Sequence, residues 1–134
     1  TTILMTFCLT AAMLFSSCEI FKKDDLLRED IVGEWDITSF TIDGVEAKGS
    51  VIKNSKMEFE KYSGTSGDFE WTITYADGTV DFQDGEYEID EDEKEIELIN
   101  DGQKIKLEME LIEDRLELEG TIDGERYILK ARRD

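Results

Sequence analysis

From Ile31 to the C-terminus, apolar residues alternate with polar ones, and turn signals built on Asp-Gly and related pairs interrupt the pattern at short intervals. This period of two belongs to half-buried strands, not helices. The turns fix the pairing. A tight turn at Asp77-Gly78 sets Tyr75 opposite Val80 and Ile73 opposite Phe82. One at Asp84-Gly85 sets Phe82 opposite Tyr87 and Val80 opposite Ile89. A loop at Glu91–Lys94 sets Ile89 opposite Ile96 and Tyr87 opposite Leu98. Asp101-Gly102 pairs Leu98 with Ile105, Glu113-Asp114 pairs Leu111 with Leu116, and Asp123-Gly124 pairs Leu118 with Leu129. Upstream, a loop at Ser63–Gly67 sets Phe59 opposite Trp71 and Met57 opposite Ile73. Every pair is apolar on one face, and a one-residue slip would turn a strand's whole apolar set to solvent. The expected fold is therefore all-β: an antiparallel up-and-down meander of about nine strands. With little helix to cover its apolar face, the sheet must close into a β-barrel, which also removes its edges. Gly120 falls on the inward face, where it eases a bend, with Tyr127 opposite it.

Ahead of the meander, residues 19–30 read as a tether running into a turn or two of helix. Before that, the apolar run from Ile3 to Phe15 is shorter than the roughly 18–20 residues that cross a bilayer, and suits the core of an export signal. Its ending, Leu14-Phe15-Ser16-Ser17-Cys18, resembles the lipobox of bacterial lipoproteins, which implies cleavage before Cys18 and lipidation of that cysteine. The expected organisation is a signal peptide over 1–17, a lipidated tether over 18–30 and a barrel domain over 31–134. Because the chain begins at Thr1 rather than Met, further residues are expected before it. Lys22-Lys23-Asp24-Asp25 resembles the acidic signals that send lipoproteins to the cell surface; a plain solvated tether reads equally well. The expected location is the outer membrane, held by lipid.

Charge narrows the functional classes. The net charge is −19 and every charged residue lies after Cys18. Such a surface does not suit nucleic acid or anionic lipid, both of which need clustered Lys and Arg. The ladder of glutamates on the outward face, including Glu88 opposite Glu97, keeps the protein soluble at a cost of about 0.2–1 kcal/mol per facing pair. Cys8 would leave with the signal and Cys18 would carry lipid, so the domain has no thiol chemistry. There is no histidine, hence neither the commonest general base nor the commonest zinc ligand. Asp90-Glu91-Asp92-Glu93 lacks the alternating spacing and glycine of a calcium loop and reads as a solvated turn. No enzyme, cofactor or metal is expected.

Ile31-Val32-Gly33-Glu34-Trp35-Asp36-Ile37 opens the first strand. It resembles the Gly-x-Trp signature of lipocalins, and with the tether and meander it resembles the small lipocalin-like domains of Bacteroidota-type lipoproteins. The resemblance implies that Trp35 plugs one end of the barrel beneath a late basic residue, with Arg126, Arg132 and Arg133 as candidates and strand parity favouring Arg133. It also implies a non-catalytic binding role. Trp71, Phe59, Ile73, Tyr75, Phe82 and Tyr87 share the inner face; they either line a pocket for a small apolar ligand or fill the barrel as core. The expected function is thus a membrane-anchored lipoprotein binding a small apolar ligand. The alternative is an envelope accessory protein with a filled barrel that meets another protein.

Overall fold

A computed structural model describes residues 26–134; the expected signal peptide, Cys18 and the tether to Asp25 lie outside the described residues. One short helix, α1 (Leu27–Asp30), precedes nine strands: β1 (Gly33–Ile42), β2 (Val45–Glu46), β3 (Ile52–Phe59), β4 (Gly67–Tyr75), β5 (Val80–Asp90), β6 (Glu95–Asn100), β7 (Gln103–Ile112), β8 (Arg115–Ile122) and β9 (Glu125–Arg133). All pairings between them are antiparallel, and β1 bonds to β9, so the sheet closes on itself. Eight strands make the ring; β2 is a two-residue spur folded back on the end of β1. The expected up-and-down barrel is the fold of the chain.

The register agrees with the turn arithmetic from Tyr87 onward. Tyr87 faces Leu98, Ile96 faces Leu107, Glu88 faces Glu97, Met109 faces Leu118, and Leu118 faces Leu129. The turns Asp101-Gly102 and Asp123-Gly124 hold both residues at positive φ, and so does Asp43-Gly44 between β1 and β2. That backbone is the two-residue hairpin turn whose twist matches its strands.

Two expected turns differ, and their errors cancel. At Asp77-Gly78 only the glycine has positive φ. Asp77 Oδ1 accepts hydrogen bonds from the Thr79 N–H (2.9 Å) and hydroxyl (2.7 Å), and Tyr75 N donates to Thr79 O. The turn is therefore one residue longer, a loop that ends on glycine. Thr74 now faces Val80 and Thr72 faces Phe82, so Val80 and Phe82 point outward, 60% and 54% exposed. At Asp84-Gly85 there is no turn; β5 runs straight through. Without that turn the parity reverts, and Tyr87 and Ile89 face inward as expected. Gly85 serves close approach instead: a Cβ there would lie 2.0 Å from the Ile99 carbonyl oxygen. Upstream, Met57 faces Trp71 and Phe59 faces Phe69, a register two residues from the expected one that leaves every side chain on its expected face.

Strand parity separates the two faces of the wall. Inward positions merge into one apolar cluster that includes Trp35, Phe40, Met57, Phe59, Trp71, Tyr87 and the leucines of β6 to β9. The expected inward Gly120 is buried, and a Cβ there would meet Leu107 and the Lys106 carbonyl, so β7 and β8 come together at that point. A bulge near Thr38 shifts the register between β1 and β9, which lets both Ile37 and Phe40 face the core.

Candidate functional site

The two ends of the barrel are built differently. At the end where β1 begins, α1 lies across the opening. Glu91, in the β5–β6 turn, accepts hydrogen bonds from the backbone N–H groups of Leu27 (2.9 Å) and Arg28 (3.1 Å), satisfying two donors that a helix start leaves free. Asp90 of the same turn accepts from Asp92 and Glu93 N–H groups, so both first acids of the run serve local structure. Ile31 and Trp35 are fully buried, and the indole N–H of Trp35 donates to Ile31 O at 2.8 Å. Of the three late arginines, Arg133 is the one over Trp35, its guanidinium carbon 4.3 Å from the ring centroid. The same guanidinium donates to Val32 O (2.9 Å) and Asp30 O (2.6 Å), tying the last strand to the segment between α1 and β1. Beside it, Phe59, Tyr87 and Tyr62 pack edge to face. Tyr87 donates its hydroxyl to Glu60 O at 2.5 Å; burial, with nearby Tyr62, Asp68 and Glu60, pushes its phenol up to about 12. Tyr62 OH accepts from Ile89 N. This end is sealed.

At the far end the inner wall is only partly buried. Ile42, Tyr75, Ile105, Ile122 and Tyr127 follow the inward parity of their strands and pack on the core, yet none is fully buried. Asp81, Gln83 and Asn100 share that parity and give the rim polar groups. An aromatic stair descends from the rim: Tyr127 meets Phe40 edge on (5.8 Å), and Phe40 stacks on Trp71 (6.0 Å). The Tyr127 phenol is raised by burial and by the negative charge of Glu125, Tyr75, Asp123 and Asp43. Below, the Trp71 indole donates to Ser55 Oγ at 2.9 Å, and Ser55 donates onward to Thr72 O at 3.0 Å. Over one side of the rim, Glu46 accepts from Ser39 Oγ (2.5 Å), Phe40 N (2.7 Å) and Lys48 N (3.1 Å), folding β2 and the following turn down. Burial of the Glu46 carboxyl is outweighed by those hydrogen bonds, which hold it below the usual carboxylate range.

The sequence candidates divide accordingly. Tyr75 stands on the far rim, with Ile73 one layer beneath it and Trp71 below that. Phe59 and Tyr87 belong to the sealed end and serve as core. Phe82 does not line the interior at all: the longer turn at Ala76–Gly78 turns it to solvent. Tyr127, Ile105, Ile42 and Phe40 complete the rim. Tyr127 and Ile105 were legible as inward positions of their strands, whereas Phe40 depends on the β1 bulge, which alternation hides. A concavity of about 450 Å3 lies beside α1 at the plug end, between Arg28, Val32 and Tyr62, and others of about 250 to about 440 Å3 lie against the charged outer face. Among the described residues, no group of three acidic, Cys or His side chains is disposed to hold a metal ion, and no helix is long and apolar enough to cross a membrane.

A closed antiparallel barrel with a Trp plug beneath an arginine defines a small lipocalin-like barrel. Residues 31–118 match the lipocalin-like domain family, and the chain belongs to it. Among solved structures it is similar to a redesigned β-barrel, at 17% identity and a TM-score of 0.62 over 80% of this chain and 94% of that one. It is also similar to a de novo designed fluorescence-activating β-barrel, at 16% identity and a TM-score of 0.59 over 80% and 96%. These likenesses are of fold. No curated protein matches the sequence.

Proposed function

We propose that this is a non-catalytic lipoprotein, processed after residue 17, lipidated on Cys18 and held on the outer membrane, whose barrel takes a small apolar or aromatic ligand at its far end. The observation that carries the reading is the contrast between the two ends. Arg133, Trp35 and α1 cap one, while at the other Ile42, Tyr75, Ile105, Ile122 and Tyr127 stay partly buried above an aromatic stair, with no helix of the described residues across them. Apolar wall that is still in contact with water at the rim gains free energy when covered, at roughly 25 cal/mol per Å2. Tyr75 and Tyr127 offer phenols to orient a polar tail.

The test uses the two tryptophans, the whole complement of the chain. Trp35 lies beneath Arg133 at the sealed end, and Trp71 stands at the foot of the stair. Titration with apolar fluorophores, fatty acids and aromatic compounds is expected to shift Trp71 emission saturably. Tyr75→Ala and Tyr127→Ala weaken that response, and Tyr87→Phe leaves it unchanged. For the anchor, Cys18→Ala is expected to leave an unprocessed precursor; identical processing of both forms would refute lipidation.

A second reading has its own support. The barrel is packed from the plug up to Trp71, so the room for a ligand is shallow. A folded sample with no saturable response favours a filled barrel acting through its surface on another envelope protein.

A further inference from the structure

The wall of the barrel has a notch beside β5. Tyr75 N bonds to Thr79 O, and the register then alternates, so Asp81, Gln83 and Gly85 exchange their backbone bonds with β4. Val80, Phe82 and Asp84 therefore turn their N–H and C=O groups the other way. On that side β6 is too short to meet them: its pairing with β5 starts at Glu86↔Ile99, and the β6–β7 turn at Asp101-Gly102 ends the hairpin there. Among the described residues no other strand pairs with Val80–Asp84. The two apolar outward side chains of this free edge, Val80 and Phe82, are among the most exposed large apolar residues of the described chain.

An open edge with apolar side chains is a template for strand addition, and proteins ordinarily blunt such edges with charge, proline or a bulge. Here the blunting charge does not sit on the edge's apolar positions. It surrounds them. The free edge runs into a groove of about 440 Å3 whose lining includes Glu60, Asp68, Glu70, Asp84, Glu86 and Asp101. Asp81 adds a carboxylate on the inward side of the same strand. The groove has no cationic side chain in its lining. A second copy of this chain carries the same −19 and is repelled.

We propose that the Val80–Asp84 edge of β5 takes an extended, lysine- or arginine-bearing segment of another protein, added as a strand where a longer β6 would run. Backbone bonds to Val80, Phe82 and Asp84 supply the register. Apolar side chains of the segment cover Val80 and Phe82, and its cationic flanks meet the carboxylates of the groove. The site uses the edge and outward face of a strand whose inward Asp81 and Gln83 border the rim.

The premise is checked by hydrogen exchange: the amides of Val80, Phe82 and Asp84 exchange much faster than those of Asp81 and Gln83. Binding is tested with a capped synthetic strand, Lys-Val-Thr-Val-Thr-Val-Lys, followed through backbone amide shifts of the whole domain. Saturable shifts centred on Val80, Phe82 and Asp84 are expected, with binding at least about tenfold weaker for the same peptide flanked by Glu. Phe82→Pro abolishes binding, because it removes an outward N–H without removing a β4 hydrogen bond. Should that variant fold poorly, Phe82→Thr keeps the backbone and is expected to weaken binding about tenfold by removing the apolar cover. Equal binding of the Glu-flanked peptide, shifts spread over the whole acidic face, or the same shifts from lipid vesicles would each overturn the proposal. So would self-association through Phe82 in sedimentation.

Discussion

Ser55 is the buried polar residue among the described side chains, and its removal is the sharpest test of how the barrel interior is organised. It is 3% exposed and sits beneath Trp71, itself 5% exposed. Its hydroxyl is the acceptor for the indole N–H at 2.9 Å and donates to Thr72 O at 3.0 Å. Ser55→Ala removes little volume, so the cavity contribution is small and the loss is electrostatic: the indole N–H keeps its burial and loses its partner. An orphaned buried donor costs about 1–3 kcal/mol, and about 2 kcal/mol is expected here. Unfolding entropy of about 2.1 cal/mol/K per residue gives near 0.23 kcal/mol/K for a domain of this size, so Tm should fall by about 9 °C. The assay is calorimetry or thermal circular dichroism on Ser55→Ala, Trp71→Phe and the double variant. In the Trp71→Phe background no indole donor remains, and Ser55→Ala should cost less than about 1 kcal/mol, a coupling of about 1 kcal/mol or more. If Ser55→Ala shifts Tm by no more than a degree or two, or if the two changes simply add, the bond does not hold Trp71. The aromatic stair then has no fixed foot.

The inside–outside assignment is checked by a trio: Leu118→Glu should cost about 4 kcal/mol or more by burying an unpaired charge, while Glu117→Leu and Phe82→Glu should both be tolerated in urea denaturation. Arg133→Ala should cost about 2 kcal/mol by losing the Val32 and Asp30 carbonyl bonds and the face of Trp35; Arg133→Lys should recover less than half, since an ammonium cannot span both carbonyls while covering the ring. Tyr87, raised to about 12 when folded from near 10, binds its proton more tightly in the native state. Its contribution is therefore complete below about pH 10 and is lost as pH rises through about 12, so the alkaline loss of stability should be smaller in Tyr87→Phe.

The strand parity from Tyr87 to the C-terminus was written in the alternation, because each Asp-Gly turn there has the same backbone and each strand buries one face. What alternation cannot show is how many residues a turn consumes. Asp77-Gly78 and Asp101-Gly102 look alike, yet Thr79 offers Asp77 two hydrogen bonds and draws an extra residue into the loop. Asp84-Gly85 carries the same letters and is not a turn at all, because the glycine is needed where the Ile99 carbonyl comes close. Phe82 fell between those two misreadings, which is why one predicted wall residue stands outside. Glu46 and Ser55 were invisible for a different reason: each acts through a partner that only the folded chain brings near. Arg133 was reachable because it lies opposite Trp35 in a register that parity determines.

The chain enters the barrel at its sealed end, where Leu26 precedes α1 and Glu91 holds the helix start. On the anchoring proposed above, the stretch from Cys18 to Leu26 reaches no more than about 28 Å even when drawn out straight. The plug end is then the one nearest the attachment point, and the rim lies at the opposite end, away by the height of the barrel, about 25 Å for tilted strands of this length. A mouth so placed opens at the end opposite the lipid attachment. It suits a ligand that arrives dissolved or is handed over by another protein, and it is poorly placed to extract one from its own membrane.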